Sequence, residues 1–141
     1  MSYQFRILHN HELDAVIPLV YALNEEKISK TLLVSRFNEM KLQNYECAGV
    51  YSGENLIGIT GLWFCARHYI GKSVELDHVY IQPKYRGEGL GKQFMSWIND
   101  YVKNKGYNAI ELNTYVQNYP SHKFYYNAGF EILGYHFLKA L

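Results

Sequence analysis

From Ser73 to Lys105 the chain runs an apolar-alternating strand into Gln82-Pro83-Lys84-Tyr85, then Arg86-Gly87-Glu88-Gly89-Leu90-Gly91-Lys92, then a long amphipathic helix. No other stretch restricts the fold as much. A strand that empties through a glycine-rich turn into a helix builds an anion site. Glycine lets the backbone turn tightly and approach a ligand, and the first N–H groups of a helix have no partners of their own. Those donors lie at the positive end of the helix dipole and favour a phosphate or pyrophosphate. Two common phosphate loops do not fit. A Walker loop requires glycine where Arg86 stands and Ser or Thr where Gln93 follows Lys92. The dinucleotide fingerprint requires G-x-G-x-x-G, whereas Gly87, Gly89 and Gly91 are spaced G-x-G-x-G.

The rest of the chain reads as the frame for this unit. At 141 residues it is expected to be a single domain, residues 1–141, with enough chain to bury one core without disulfides or metals. A net charge of +1 advertises no field for nucleic acid or membrane. No apolar run approaches transmembrane length and no leader is apparent, so a cytoplasmic location is expected. Cys47 and Cys65 are isolated in strand-like stretches, and His68, His78 and His122 lack ligand-like spacing, so no metal is expected. Fourteen tyrosines are many for this length, and several must lie on a surface or line a pocket.

Tyr3 to Leu8 alternates as a strand. Asn10 is placed to cap a helix carrying Val16, Ile17, Leu19, Val20 and Leu23, made irregular by Pro18. A second helix is expected over residues 31–44, with Leu32, Leu33, Phe37, Met40 and Leu42 inward. Residues 47–51 and 55–65 read as antiparallel strands, and Gly58 and Gly61 mark a bend or a close backbone approach. After the central strand, residues 74–81, and its helix, residues 108–116 form a strand parallel to the central one, because a helix crosses between them.

A second motif follows. Pro120 suits the first turn of a helix, and Ser121-His122-Lys123-Phe124-Tyr125-Tyr126-Asn127-Ala128 stops at Gly129-Phe130. The pattern Arg86-x-x-Gly89-x-Gly91, followed by Asn118-x-x-Ser121-x-x-Phe124-Tyr125-x-x-x-Gly129-Phe130, resembles the GNAT superfamily of N-acetyltransferases, with Ser121 where alanine is commoner. The resemblance covers most of residues 74–130. It implies an α/β (α+β) fold: a mixed, mostly antiparallel sheet of six or seven strands with helices on both faces. Two central strands would splay to admit coenzyme A. It also implies transfer of an acetyl group from acetyl-CoA, as co-substrate, to a primary amine of a small molecule in a ternary complex. A protein or peptide amine, or an acyl-CoA sensor without turnover, are the other outcomes of such a fold. A homodimer is compatible with it.

The resemblance also distributes roles. The backbone of Val79, Tyr80 and Ile81 would pair with the pantetheine arm, with the N–H of Val79 or Tyr80 facing the thioester oxygen. Arg86, Gly87, Glu88, Gly89, Leu90, Gly91 and Lys92 would hold the pyrophosphate. Arg86 would either brace the loop or meet a phosphate. Asn118 would bond the pantetheine arm, cap its helix, or do both. Tyr125 would protonate the leaving sulfur. Glu75 and Asp77 stand eleven and nine residues before Arg86, where different branches of the superfamily carry a base, and residues two apart on a strand share a face. Glu75, Asp77 or a water held by them would take the amine proton. His78 should point the other way unless a bulge reverses the alternation. Trp63, Phe64, His68, Tyr69 and Tyr115 are candidates for an aromatic wall, which with two carboxylates suits a cationic amine.

Overall fold

The structure is a computed structural model that describes residues 2–141. The chain divides into two compact units, one running to Glu111 and the other spanning Leu112–Leu141. Among the described residues the sheet has five strands, in the spatial order in which they occur in the sequence: β1 (Gln4–Ile7), β2 (Tyr45–Ser52), β3 (Asn55–Arg67), β4 (Gly71–Ile81) and β5 (Ala109–Leu112). The first three pairings are antiparallel. At β5 the N–H of Asn108 donates to the Lys72 carbonyl, and Glu111 reaches Ser73 one residue further along β4, so β5 ascends with β4.

Among the described residues the expected sixth and seventh strands are not found. Residues 131–141 have no regular structure, and Ile132 and Phe137 are 81% and 90% exposed. A segment with no ladder partner cannot satisfy its backbone as a strand. β5 also stops at Leu112 rather than continuing to residue 116.

Helices cover both faces of the first unit. On one face a 3-10 helix (Asn10–Val16), α1 (Ile17–Leu23) and α2 (Lys30–Met40) pack Leu13, Val16, Leu19, Val20, Leu33 and Phe37 against Tyr45, Cys47 and Ile59 of the sheet. Pro18 lacks the N–H that a continuous helix would give to Asp14, so the first helical segment breaks in two. α2 is capped by the Ser29 hydroxyl and ends at Met40, leaving Leu42 outside it and 82% exposed rather than inward. On the other face α3 (Leu90–Asn104) buries Leu90, Phe94, Met95, Ile98 and Val102, with Phe94 stacked on Phe5 of β1 at 5.8 Å.

The second unit holds α4 (Tyr119–Asn127). Asn118 caps it by accepting the Ser121 N–H at 3.4 Å, and Pro120 sits in its first turn. It ends at Asn127, and Gly129, with φ of +96°, lets the chain turn back so that the Phe130 N–H reaches the Tyr125 carbonyl at 3.0 Å. Among the described residues no helix is long and apolar enough to cross a membrane.

Candidate active site

β4 delivers the chain through a short 3-10 turn, Pro83–Tyr85, into the loop at Arg86. Gly87 and Gly89 take φ of +86° and +81°, conformations that side chains with a Cβ resist. Gly89 is also the N-cap of α3, and the first intrahelical bond runs from the Gln93 N–H to its carbonyl at 3.1 Å. Among the described residues, no backbone carbonyl outside the helix receives the amides of Gly87 to Lys92. The turn thus leaves a run of donors at the dipole's positive end. Arg86 braces it: its Nε donates to the Ile81 carbonyl at 2.6 Å, and its guanidinium carbon lies 5.1 Å from the centre of the Tyr80 ring. Lys92 and Glu88 are exposed, and neither joins an ion pair among the described residues.

Eight residues before Arg86, β4 is irregular. Ile59 pairs with Tyr80 and Gly61 with Asp77, so β4 holds one residue more than β3 across this step. The bulge centres on His78, a non-glycine residue with φ of +38°. It reverses the alternation that would have turned His78 away, and the imidazole enters the α2 face beside Phe37 and Tyr45 at 5.5 and 5.8 Å between ring centres. There its Nε2 meets the Tyr45 hydroxyl at 2.5 Å. Gly61 makes this possible, since a Cβ there would lie 2.4 Å from Nε2. The close approach expected of Gly61 is therefore to a side chain.

The two candidate bases differ. Trp63 is the cross-strand partner of Glu75, and Gly61 that of Asp77, so both carboxylates lie on the same face as Trp63. Asp77 has both oxygens engaged: Oδ1 accepts the His78 N–H at 2.8 Å and Oδ2 the Trp63 indole N–H at 3.3 Å. Glu75 is half-buried, and its carboxylate has no hydrogen bond among the described residues. One carboxylate is thus structural in its contacts, while the other is unoccupied.

Burial pushes the His78 imidazole down to about 4 from its ordinary 6.5. Between those values the unfolded chain binds a proton that the folded chain refuses, so stability is full above pH 6.5 and falls as the pH drops toward 4. The expected result is a melting temperature that declines across that window. The slope is at most about 1.4 kcal/mol per pH unit for this one group, and it should flatten in His78→Phe. Thermal melts between pH 7 and pH 4 check this.

The aromatic candidates do not form one wall. Phe64 follows Trp63 directly and so faces the opposite side, where it packs on Tyr107 at 5.0 Å and under the Lys105 ammonium. His68 and Tyr69 sit at the β3–β4 turn, and the Tyr69 hydroxyl donates to Glu111. Tyr115 belongs to the second unit and is 76% exposed. Tyr125 is half-buried there between Phe124 and Phe130, at 5.2 and 5.6 Å, and burial pushes its phenol up to about 12. No local sequence signal marks Tyr45 and Phe37 as neighbours of His78, or Glu111 as the partner of Ser73 at 3.2 Å. The first two looked like ordinary core residues. An open polar groove of about 820 Å³ touches Arg6, Glu12, Tyr51, Gln82 and Lys84, and it includes neither Glu75 nor Asp77.

The model of the acetyltransferase (GNAT) family matches residues 14–130, a span that runs through both units. The chain is 27% identical to the aminoalkylphosphonate N-acetyltransferase of Salmonella typhimurium over 74 residues, 52% of this chain and 48% of that protein. It thus spans about half the length of that relative, and likewise 49% of the spermidine N(1)-acetyltransferase of Thermoplasma acidophilum, at 29% identity over 84 residues. Among solved structures, a possible acetyltransferase from Clostridium difficile superimposes with a TM-score of 0.83 at 13% identity, covering 100% of this chain and 98% of that one. That likeness is one of fold.

Proposed function

The chain belongs to the acetyltransferase (GNAT) family, and on that premise we propose that it moves an acetyl group from acetyl-CoA to a primary amine of a small molecule. The observation that carries this reading is the run of unengaged amides from Gly87 to Lys92 at the start of α3, a donor set that suits a pyrophosphate. A related fold, the aminoglycoside N-acetyltransferase AAC(6')-Iy, has been solved in complex with CoA, with a TM-score of 0.81 at 17% identity over 99% of this chain and 95% of that one. β4 has eleven residues against four in β5, and the reading has the backbone of Val79, Tyr80 and Ile81 meet the pantetheine arm along the edge of β4 that faces away from β3.

The amine nitrogen attacks the thioester carbonyl carbon, forming the C–N bond. The N–H of Val79 or Tyr80 steadies the oxyanion. Glu75, the carboxylate without a partner, takes the amine proton directly or through a water. When the C–S bond breaks, the CoA sulfur takes a proton from Tyr125, whose phenol holds that proton throughout the neutral range. Asn118 both caps α4 and bonds the pantetheine arm, and Arg86 acts on the loop rather than on a phosphate. Trp63 borders the amine, so that an aromatic face and a carboxylate meet a cationic substrate.

The test is thiol release from acetyl-CoA across a panel of small primary amines, including aminoalkylphosphonates and polyamines. Turnover on at least one is expected. Tight CoA binding with no thiol release on any amine would overturn the reading in favour of a sensor. Tyr125→Phe is expected to lower kcat about a hundredfold when chemistry limits the rate, with CoA affinity retained. Full turnover in that variant removes Tyr125 from the mechanism.

A further inference from the structure

We propose that the Tyr45–His78 pair is a clasp that holds the β4 bulge in shape and thereby aims the Val79 amide at the thioester carbonyl. The inference rests on the proposed acetyl transfer and names two positioning residues for it. The motif pattern assigns them no role.

The bulge is held from every side. His78 adopts φ of +38°, which a non-glycine residue keeps only when its surroundings demand it. Tyr45 of β2 grips Nε2 at 2.5 Å. The Asp77 carboxylate accepts the His78 N–H at 2.8 Å and is itself anchored by the Trp63 indole at 3.3 Å. The Thr60 hydroxyl of β3 donates to the Asp77 carbonyl at 3.2 Å. Phe37 of α2 closes over the ring, and Gly61 supplies the room. Three strands and a helix therefore converge on one extra residue.

This arrangement costs stability. The His78 Nδ1 is sealed from solvent with no partner among the described residues, and such an orphan is expensive in a protein interior. A regular strand with an apolar residue at this position would avoid the strained φ and the orphan nitrogen, and would free Gly61 from its constraint. What the bulge changes is the direction of the backbone just beyond it. An extra residue shifts which edge of β4 each following N–H faces. Beyond the bulge the Gln82 N–H donates to Ile57 of β3 at 2.9 Å and Tyr80, two residues earlier, pairs with Ile59, so the N–H turned to the opposite edge is that of Val79. Tyr45 also packs its ring on Trp63 at 5.0 Å, so the change that isolates its contact with His78 is the one that keeps the ring and removes the hydroxyl.

The test uses the whole chain and a ketone analogue of acetyl-CoA, with a methylene between sulfur and a carbon-13-labelled carbonyl, so that it binds without transferring its acyl group. Its carbonyl resonance moves downfield when an amide donates to the oxygen. Two variants are compared. Tyr45→Phe removes only the hydroxyl, while His78→Gly keeps the positive φ without strain and removes the ring. The expected result is a downfield shift in the parent protein that moves back toward the free-solution value in both variants. CoA affinity should stay within about twofold while kcat falls roughly tenfold to a hundredfold, less than the loss of a whole oxyanion donor. A shift and a kcat retained in both variants would overturn the clasp and leave acetyl transfer standing. Failure of both variants to fold would also overturn it, by making the pair a requirement of the sheet alone. A parent protein that binds the analogue with no shift would instead overturn the amide-donor reading on which the clasp depends.

Discussion

Replacing Gly89 by valine is expected to weaken CoA binding by about a hundredfold or more, equivalent to about 2.8 kcal/mol. Gly89 holds φ of +81° at the N-cap of α3, and no atom lies within 4 Å of the position a Cβ would occupy. The penalty therefore comes from the backbone and not from a clash. A β-branched residue at such a φ costs on the order of 1–3 kcal/mol, which the loop would relieve by abandoning its shape. The amides of Gly87 to Lys92 would then cease to converge. The control is Gly106→Val, where φ is +85° at the far end of the same helix and the surroundings are equally open. That variant carries the same strain and is expected to lose stability without losing affinity. Calorimetric titration of both variants with CoA separates the two effects. Equal affinity in the parent protein and Gly89→Val would refute the loop's role.

The second large effect is expected at Glu75. Glu75→Gln should lower kcat/KM by about 10² to 10⁴, the usual contribution of a positioned base, with the melting temperature nearly unchanged. Its rate should keep rising with pH as the free amine fraction grows, whereas the parent protein levels off earlier. Asp77→Asn should behave differently. A carboxylate that accepts from both the His78 N–H and the Trp63 indole is replaced by an amide with one acceptor and one donor, so a donor must face a donor. That mismatch is expected to cost about 1–3 kcal/mol of stability, visible in urea unfolding before any kinetic measurement. Full activity in Glu75→Gln, with a severe kinetic loss in a stable Asp77→Asn, would exchange the two roles.

The parts of the site that were legible in the sequence depend on neighbours along the chain. The Arg86–Lys92 turn is written in glycines whose positive φ is a local necessity, and the start and stop of α4 are written in Asn118, Pro120 and Gly129. The sharing of a face by Glu75 and Asp77 follows from strand alternation alone. The parts that were not legible depend on partners far along the chain. The bulge is fixed by Tyr45, thirty-three residues before His78, and by Gly61, and no feature near His78 announces it. Grouping Trp63 with Phe64 ignored the alternation that correctly paired the carboxylates. The expectation of six or seven strands came from resemblance rather than from residues, and residues 131–141 do not supply them.

A pyrophosphate gripped by the first amides of α3 must perturb those amides, and titration of the nitrogen-15-labelled chain with CoA reads them one by one. The amide resonances of Gly87, Glu88, Gly89, Leu90 and Gly91 are expected to show the largest shifts, saturating together with the calorimetric isotherm. Saturable binding that leaves those resonances in place while moving others, or no binding of CoA at all, would contradict the account.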